Sequence, residues 1–496
     1  MEEKSVSKLL SLVKLGSPVA EFDEALGNYF VETSTFQKLV GDEGDIVAGD
    51  KGTGKTALFR ILKDKFAEYE DLNNVEVLSA FNPAGTPIFQ RLIDGERLTE
   101  NGYIAVWKSY LFMLAGNWLL ELYESARPGR LEELDDLLQR SGLRSSDPKP
   151  TKLFQRIVTF IRPTQVESTT TFTPEGIPIF AAKLSFSADG PPKEQPVAIL
   201  RYDEALELLD ACLQQTGFTL WLVFDRLDEA FQASPNVERP ALRALLRTYL
   251  DIQNLTQVKM KLFLRNDLFA RISEGGFVNL THINARKIPI TWEDDDLYVL
   301  LYRRLKESEV LLSELGLTNS ASPDEVFNAL FPGKVDDTSK RPTTWNWILT
   351  RIRDGNDVKS PRNLVDLVIK AVDAQKRREA QSPHLWEKGE PLVSGDSMKR
   401  ALAELSQERV SDTLLAEAGE SATYIQRFEN GKAEHNSETL KRLFGENVTD
   451  VTKRLTALGF LEKTGQSYKV PMLYRQGLNI TQGKAWSPDE PPEGDD

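Results

Sequence analysis

At 496 residues the chain is too long for a single hydrophobic core, and its length implies about two to four domains. Its 75 acidic against 61 basic residues leave a formal charge of −14, which excludes a protein that coats nucleic acid through bulk charge and leaves room only for a local basic patch. The single cysteine, Cys212, rules out an intramolecular disulfide framework, and the scattered His282, His384 and His435 offer no metal cluster.

The start, Met1-Glu2-Glu3-Lys4-Ser5, lacks the basic flank and continuous apolar segment of a signal peptide. No run of about 18 apolar residues occurs, so the expectation is a cytoplasmic protein without membrane attachment. Residues 5 to 40 carry apolar positions at helical spacing: Leu9, Leu10, Leu12 and Val13, later Leu26, Tyr29 and Phe30. Such a leader either folds over a nucleotide base or packs against a sheet edge.

The apolar run Ile46-Val47-Ala48 then enters Gly49-Asp50-Lys51-Gly52-Thr53-Gly54-Lys55-Thr56-Ala57, and Ala57 to Leu62 reads as a helix. The spacing Gly-x4-Gly-Lys-Thr between a strand and a helix is a phosphate loop. Its glycines let backbone N–H groups turn toward the β- and γ-phosphates, and the helix start favours anions. Residues 49 to 57 are thus candidates for binding ATP. Lys55 would reach the terminal phosphates and Thr56 would ligate Mg2+.

Val75 to Phe81 reads as a second strand, stopped by Asn82-Pro83-Ala84-Gly85. Trp107, Tyr110, Leu111, Leu114, Trp118 and Leu119 mark one long buried helix face, and Gly129 to Leu143 is helical and charged. Residues 168 to 187 change character. Thr169 to Thr173, a Pro174-Glu175-Gly176 turn and Ile177 to Phe186 predict a β-hairpin inserted in a helix-rich stretch.

The second decisive run is Leu220-Trp221-Leu222-Val223-Phe224-Asp225-Arg226-Leu227-Asp228-Glu229. A fully buried parallel strand would deliver Asp225 beside the phosphate loop to hold Mg2+, directly or through water. Glu229 or Asp228 would polarise the attacking water; Glu229 is favoured as the last of the run, and geometry must decide. After a helix over 239 to 252, the strand Met260 to Leu264 ends at Arg265-Asn266-Asp267, where Arg265 or Asn266 would sense the γ-phosphate or serve as a cap or salt bridge.

Lys287 to Trp292 predicts a last short strand, and Glu293-Asp294-Asp295-Asp296 suits a helix N-terminus rather than a metal site. Residues 307 to 380 are helix-rich. Arg362 begins a helix after Ser360-Pro361 and is placed to touch a γ-phosphate in cis or in a neighbouring subunit, with Arg286 and Arg271 as rivals. Past the connector Ala380 to Pro383, the order over 440 to 470 is helix, helix, turn, hairpin. That is a winged-helix pattern, with Lys453 and Arg454 facing DNA phosphates or the module serving a protein partner. Asp489 to Asp496 is an acidic tail.

Taken together, Gly49 to Ala57, Phe224 to Glu229, Phe263 to Phe269 and Ile290-Thr291-Trp292 resemble prokaryotic P-loop ATPases near the AAA+ and STAND branches, over roughly residues 20 to 375. The resemblance implies an α/β fold: a P-loop parallel sheet with helices on both faces, a helical lid and a C-terminal winged helix. The expected division is a core over 1–290, a lid over 291–380, a winged-helix domain over 381–482 and a tail over 483–496. The implied function is an ATP-hydrolysing switch or scaffold, homo-oligomeric and acting with a separate effector protein in antiviral defence. The alternative is a DNA-bound ATPase of initiator or loader type.

Overall fold

The computed structural model describes residues 4–81, 99–123, 129–145, 168–172, 178–182, 201–229, 235–336, 338, 340–416 and 418–486. Contacts divide the chain into two compact units. One comprises Ser34–Asp50 and Lys55–Ile290; the other comprises Met1–Thr33, Lys51–Gly54 and Thr291–Asp496. The division expected from sequence put residues 1–33 with the sheet, whereas their contacts group them with the helical unit.

In chain order the strands of the sheet unit are β1 (Ile46–Gly49), β2 (Val75–Phe81), β3 (Ser168–Phe172), β4 (Pro178–Ala182), β5 (Thr219–Phe224), β6 (Val258–Arg265) and β7 (Lys287–Pro289). Five of them form one sheet in the order β2-β5-β6-β1-β7, and every pairing in it is parallel. This is a P-loop α/β fold. β3 and β4 form a separate antiparallel pair, with Thr170 opposite Phe180. The turn expected at 174–176, and the continuation past Ala182, lie outside the described residues.

Alternation along the strands explains the helices on both faces. Leu220, Leu222, Phe224, Leu262 and Leu264 share one core with Trp107, Leu111, Leu245 and Leu209. Phe263, one position out of phase, meets the ring of Phe59 edge-on at 6.1 Å on the other face. Strands buried on both faces read as continuous apolar runs, which is why β1, β5 and β6 are recognisable from sequence. The register sets Gly49 beside Arg265 and Phe224 beside Leu262, so the ends of β1, β5 and β6 open on the same carboxyl edge. At the opposite edge, Lys261 is fully buried under Trp221 and its Nζ contacts Asp42 Oδ1 (2.5 Å) and Asp45 Oδ1 (2.7 Å).

The helical unit begins with Val6–Ser11, whose Val6, Leu9 and Leu10 join a core that includes Leu297, Ile348, Leu364 and Val368. Arg304 ties the following segment down. Its guanidinium donates to Asp23 Oδ2 at 2.8 Å and lies over the Tyr29 ring at 4.2 Å, with all three residues buried. The acidic run 294–296 forms the first turn of the helix Asp294–Lys306, closed by a capping box between Glu293 and Asp296.

At the C-terminal end, β8 (Lys432–His435) is followed by helices Ser437–Phe444 and Val448–Ala457, then β9 (Glu462–Thr464), β10 (Ser467–Lys469) and β11 (Thr481–Lys484), in the sheet order β11-β8-β10-β9. β11 reaches into the stretch expected as tail; residues 487–496 lie outside the described residues.

Candidate nucleotide-binding site

In the sheet unit, β1 ends at Gly49 and the helix Lys55–Lys65 starts six residues later. Lys55 Nζ donates to the carbonyls of Gly49 (2.9 Å) and Asp50 (2.7 Å), so the side chain folds back along the loop. Burial pushes its pKa down, the Arg265 cation acts in the same direction, and the carboxylates of Asp225, Asp228 and Asp50 oppose them. One half-buried ammonium thus lies near charged groups that the sequence singles out at the ends of three separate strands. Asn266 joins them by donating to Asp50 Oδ1 at 3.1 Å.

The loop residues Lys51–Gly54 make their contacts within the helical unit. Gly52 (φ +79°) and Gly54 (φ +102°) occupy the left-handed region, where a β-carbon is strained, and this is why the loop needs glycine there. Thr53 O accepts from the Trp292 indole at 2.8 Å, and Gly52 O accepts from Ser360 Oγ at 2.8 Å. Ser360 is the N-cap of the helix Pro361–Gln381, so Arg362 starts against the loop. Together Arg362, Lys51, Asp366 and Arg409 line a cavity of about 230 Å3. Ser360 carries no motif and Trp292 enters the sequence reading only through the resemblance, and sequence reasoning did not find their hold on the loop.

The rival arginines lie elsewhere. Arg286 precedes β7 at the opposite edge of the sheet, where Nε donates to Asp45 Oδ2 at 2.8 Å, and Arg271 pairs with Glu238 at 3.1 Å.

Asp225 follows β5 and is 1% exposed. Next to it Arg226 has φ +56°, and its Nε donates to Glu229 Oε1 at 2.5 Å. Asp228 meets Arg265 at 3.5 Å, and Arg265 holds Asp267 with two bonds of 2.9 and 3.1 Å. Burial alone would raise the Asp267 carboxyl, but Arg265 holds it below the ordinary range. The Thr56 hydroxyl and the Asp225 carboxylate are hard oxygen donors that suit Mg2+. Among the described residues no group of three or more His, Cys, Asp or Glu forms a cage, so a cation here would take its remaining oxygens from phosphates and water.

No family model matches the chain, and no curated protein matches it in sequence. Solved structures with a loosely similar course include a Walker-type ATPase of Pyrococcus abyssi, at 13% identity over 91% of this chain and 96% of that one, TM-score 0.40. The ORC2 protein of Aeropyrum pernix aligns at 14% identity over 90% of both chains, TM-score 0.37. The ORC1 protein of the same organism, in complex with DNA, aligns at 13% identity over 93% of this chain and 96% of that one, TM-score 0.31. At these identities and scores no partner or activity of those proteins transfers to this chain. Among the described residues no helix is long and apolar enough to cross a membrane.

Proposed function

We propose that this chain binds ATP with Mg2+ and hydrolyses it, switching state between the triphosphate and the diphosphate. The observation that carries the reading is the gathering of Asp225, Asp228, Asp50 and Arg265 near the half-buried Lys55 at the carboxyl edge of a parallel sheet. Residues 49 to 57 cradle the phosphates, and Thr56 and Asp225 hold Mg2+. A carboxylate of the 225–229 turn polarises water and Arg265 senses the γ-phosphate. Phosphate release by the purified protein with Mg2+ and ATP tests the reading. The expected result is steady turnover that Asp225→Asn reduces by about 100-fold or more. Nucleotide bound without turnover would reduce ATP to a structural ligand.

Of the two settings open to such a switch, DNA binding is favoured by an observation of its own. Residues 418–486 hold ten basic against seven acidic residues in a chain of net charge −14. Lys453 and Arg454 are exposed on the helix that precedes the β9-β10 hairpin. The sheet order β8-β10-β9, with two helices between β8 and β9, supports reading this part as a winged helix. The sequence resemblance adds to this the reading of a cytoplasmic homo-oligomer of initiator or loader type. Action with a separate effector protein in antiviral defence rests on the sequence resemblance alone.

A further inference from the structure

The turn after β5 contains a strained residue that the ATPase reading leaves without a role. Arg226 sits at φ +56°, which a β-carbon disfavours, immediately after the buried Asp225. Two local bonds hold it there. Glu229 N–H donates to Arg226 O at 3.1 Å, and Arg226 Nε donates to Glu229 Oε1 at 2.5 Å. Both side chains are screened, at 28% and 25% exposure. Glu229 Oε1 is thereby directed at the guanidinium.

Asp228 is placed differently. It pairs with Arg265 at 3.5 Å, and that guanidinium is already bound to both oxygens of Asp267. Asp228 also acts on Lys55, the residue that would grip the terminal phosphates.

We infer that Asp228 polarises the attacking water, while Arg226 and Glu229 form a closed pair that positions it. The inference rests on the ATP-hydrolysing reading and reassigns the role that sequence order favours for Glu229. In the step, the water oxygen bonds to the γ-phosphorus as the bond from that phosphorus to the β–γ bridging oxygen breaks. The water proton passes to the Asp228 carboxylate and then to solvent, and ADP and phosphate leave. Arg226 is a positioning residue, because its guanidinium ties the turn to Glu229 and so steadies the direction of the intervening Asp228.

Single-turnover hydrolysis of Mg·ATP, measured beside binding of a fluorescent ATP analogue, tests this with Asp228→Asn, Glu229→Gln, Arg226→Gly, Arg226→Lys and the Arg226→Gly/Glu229→Gln double variant. Glycine adopts φ +56° freely, so Arg226→Gly removes the side chain while keeping the turn. Asp228→Asn is expected to slow hydrolysis by about 100-fold or more with affinity within about threefold of the wild type. Glu229→Gln and Arg226→Gly are each expected to slow it by about tenfold, with the double variant no slower than either. Arg226→Lys is expected to recover most of the loss. A loss of about 100-fold in Glu229→Gln with Asp228→Asn nearly unaffected would overturn the inference, as would additive losses in the double variant. Wild-type protein that binds the analogue but never hydrolyses ATP would instead sink the functional reading beneath it.

Discussion

Lys55 is where the nucleotide reading is most exposed to test at the level of a single side chain. Burial and the nearby Arg265 lower its pKa, while three carboxylates resist the shift. Only the ammonium form attracts phosphate, so ATP affinity is expected to fall as pH rises through that lowered pKa, earlier than for an exposed lysine. Arginine stays charged across the range, so Lys55→Arg should flatten the profile, whatever it does to affinity. Titration of the fluorescent analogue across alkaline pH measures both; identical profiles would show that Lys55 is not the titrating contact. Loss of binding by about 100-fold in Lys55→Ala is the companion expectation.

One element, β6, joins both edges of the sheet. Its end carries Arg265 to the carboxyl edge, while Lys261 is buried at the other with Asp42 and Asp45. Burial alone would raise those two carboxyls, but Lys261 with Lys259 holds Asp42, and Arg286 with Lys261 holds Asp45, below the ordinary range. Carboxylates depressed in the fold stabilise it fully above their unfolded pKa of about 4, and that contribution disappears as pH falls through their folded values. Lys261→Met leaves Asp45 buried with one cation fewer and is expected to destabilise the sheet unit by about 3–5 kcal/mol. Thermal melting at neutral pH reads that loss. The same variant melted near pH 3 should show a smaller difference from wild type; an unchanged difference would mean that packing, not charge, keeps Lys261.

For the whole molecule, the open question is what the switch acts on. If the C-terminal part grips DNA phosphates, duplex binding should weaken steeply with salt, and Lys453→Ala/Arg454→Ala should lower the slope of log affinity against log salt by about two. Fluorescence anisotropy at several salt concentrations, with ATP and with ADP, gives the slope and its nucleotide dependence. A slope unchanged by the double substitution would remove that helix face from the interface. Mass measurements with and without ATP test the oligomer.

The phosphate loop, the strand before it and β5 with its carboxylates were legible because their chemistry is local. Glycines at left-handed positions, a buried parallel strand written as an unbroken apolar run, and charged residues at its end all lie within a few residues of one another. Residues 386–439 offered no such signal. Their helix Gly395–Glu408, the π-helical turn Arg409–Leu415 and β8 are short or irregular and draw their burial from partners distant in the chain. Sequence alone also left the water-polarising carboxylate open, because Asp228 and Glu229 are adjacent and chemically alike. Only the fold separates them. The left-handed turn at Arg226 closes a guanidinium on Glu229, and β6 brings Arg265 beside Asp228 from 37 residues away, because a parallel sheet aligns strand ends that the chain keeps apart.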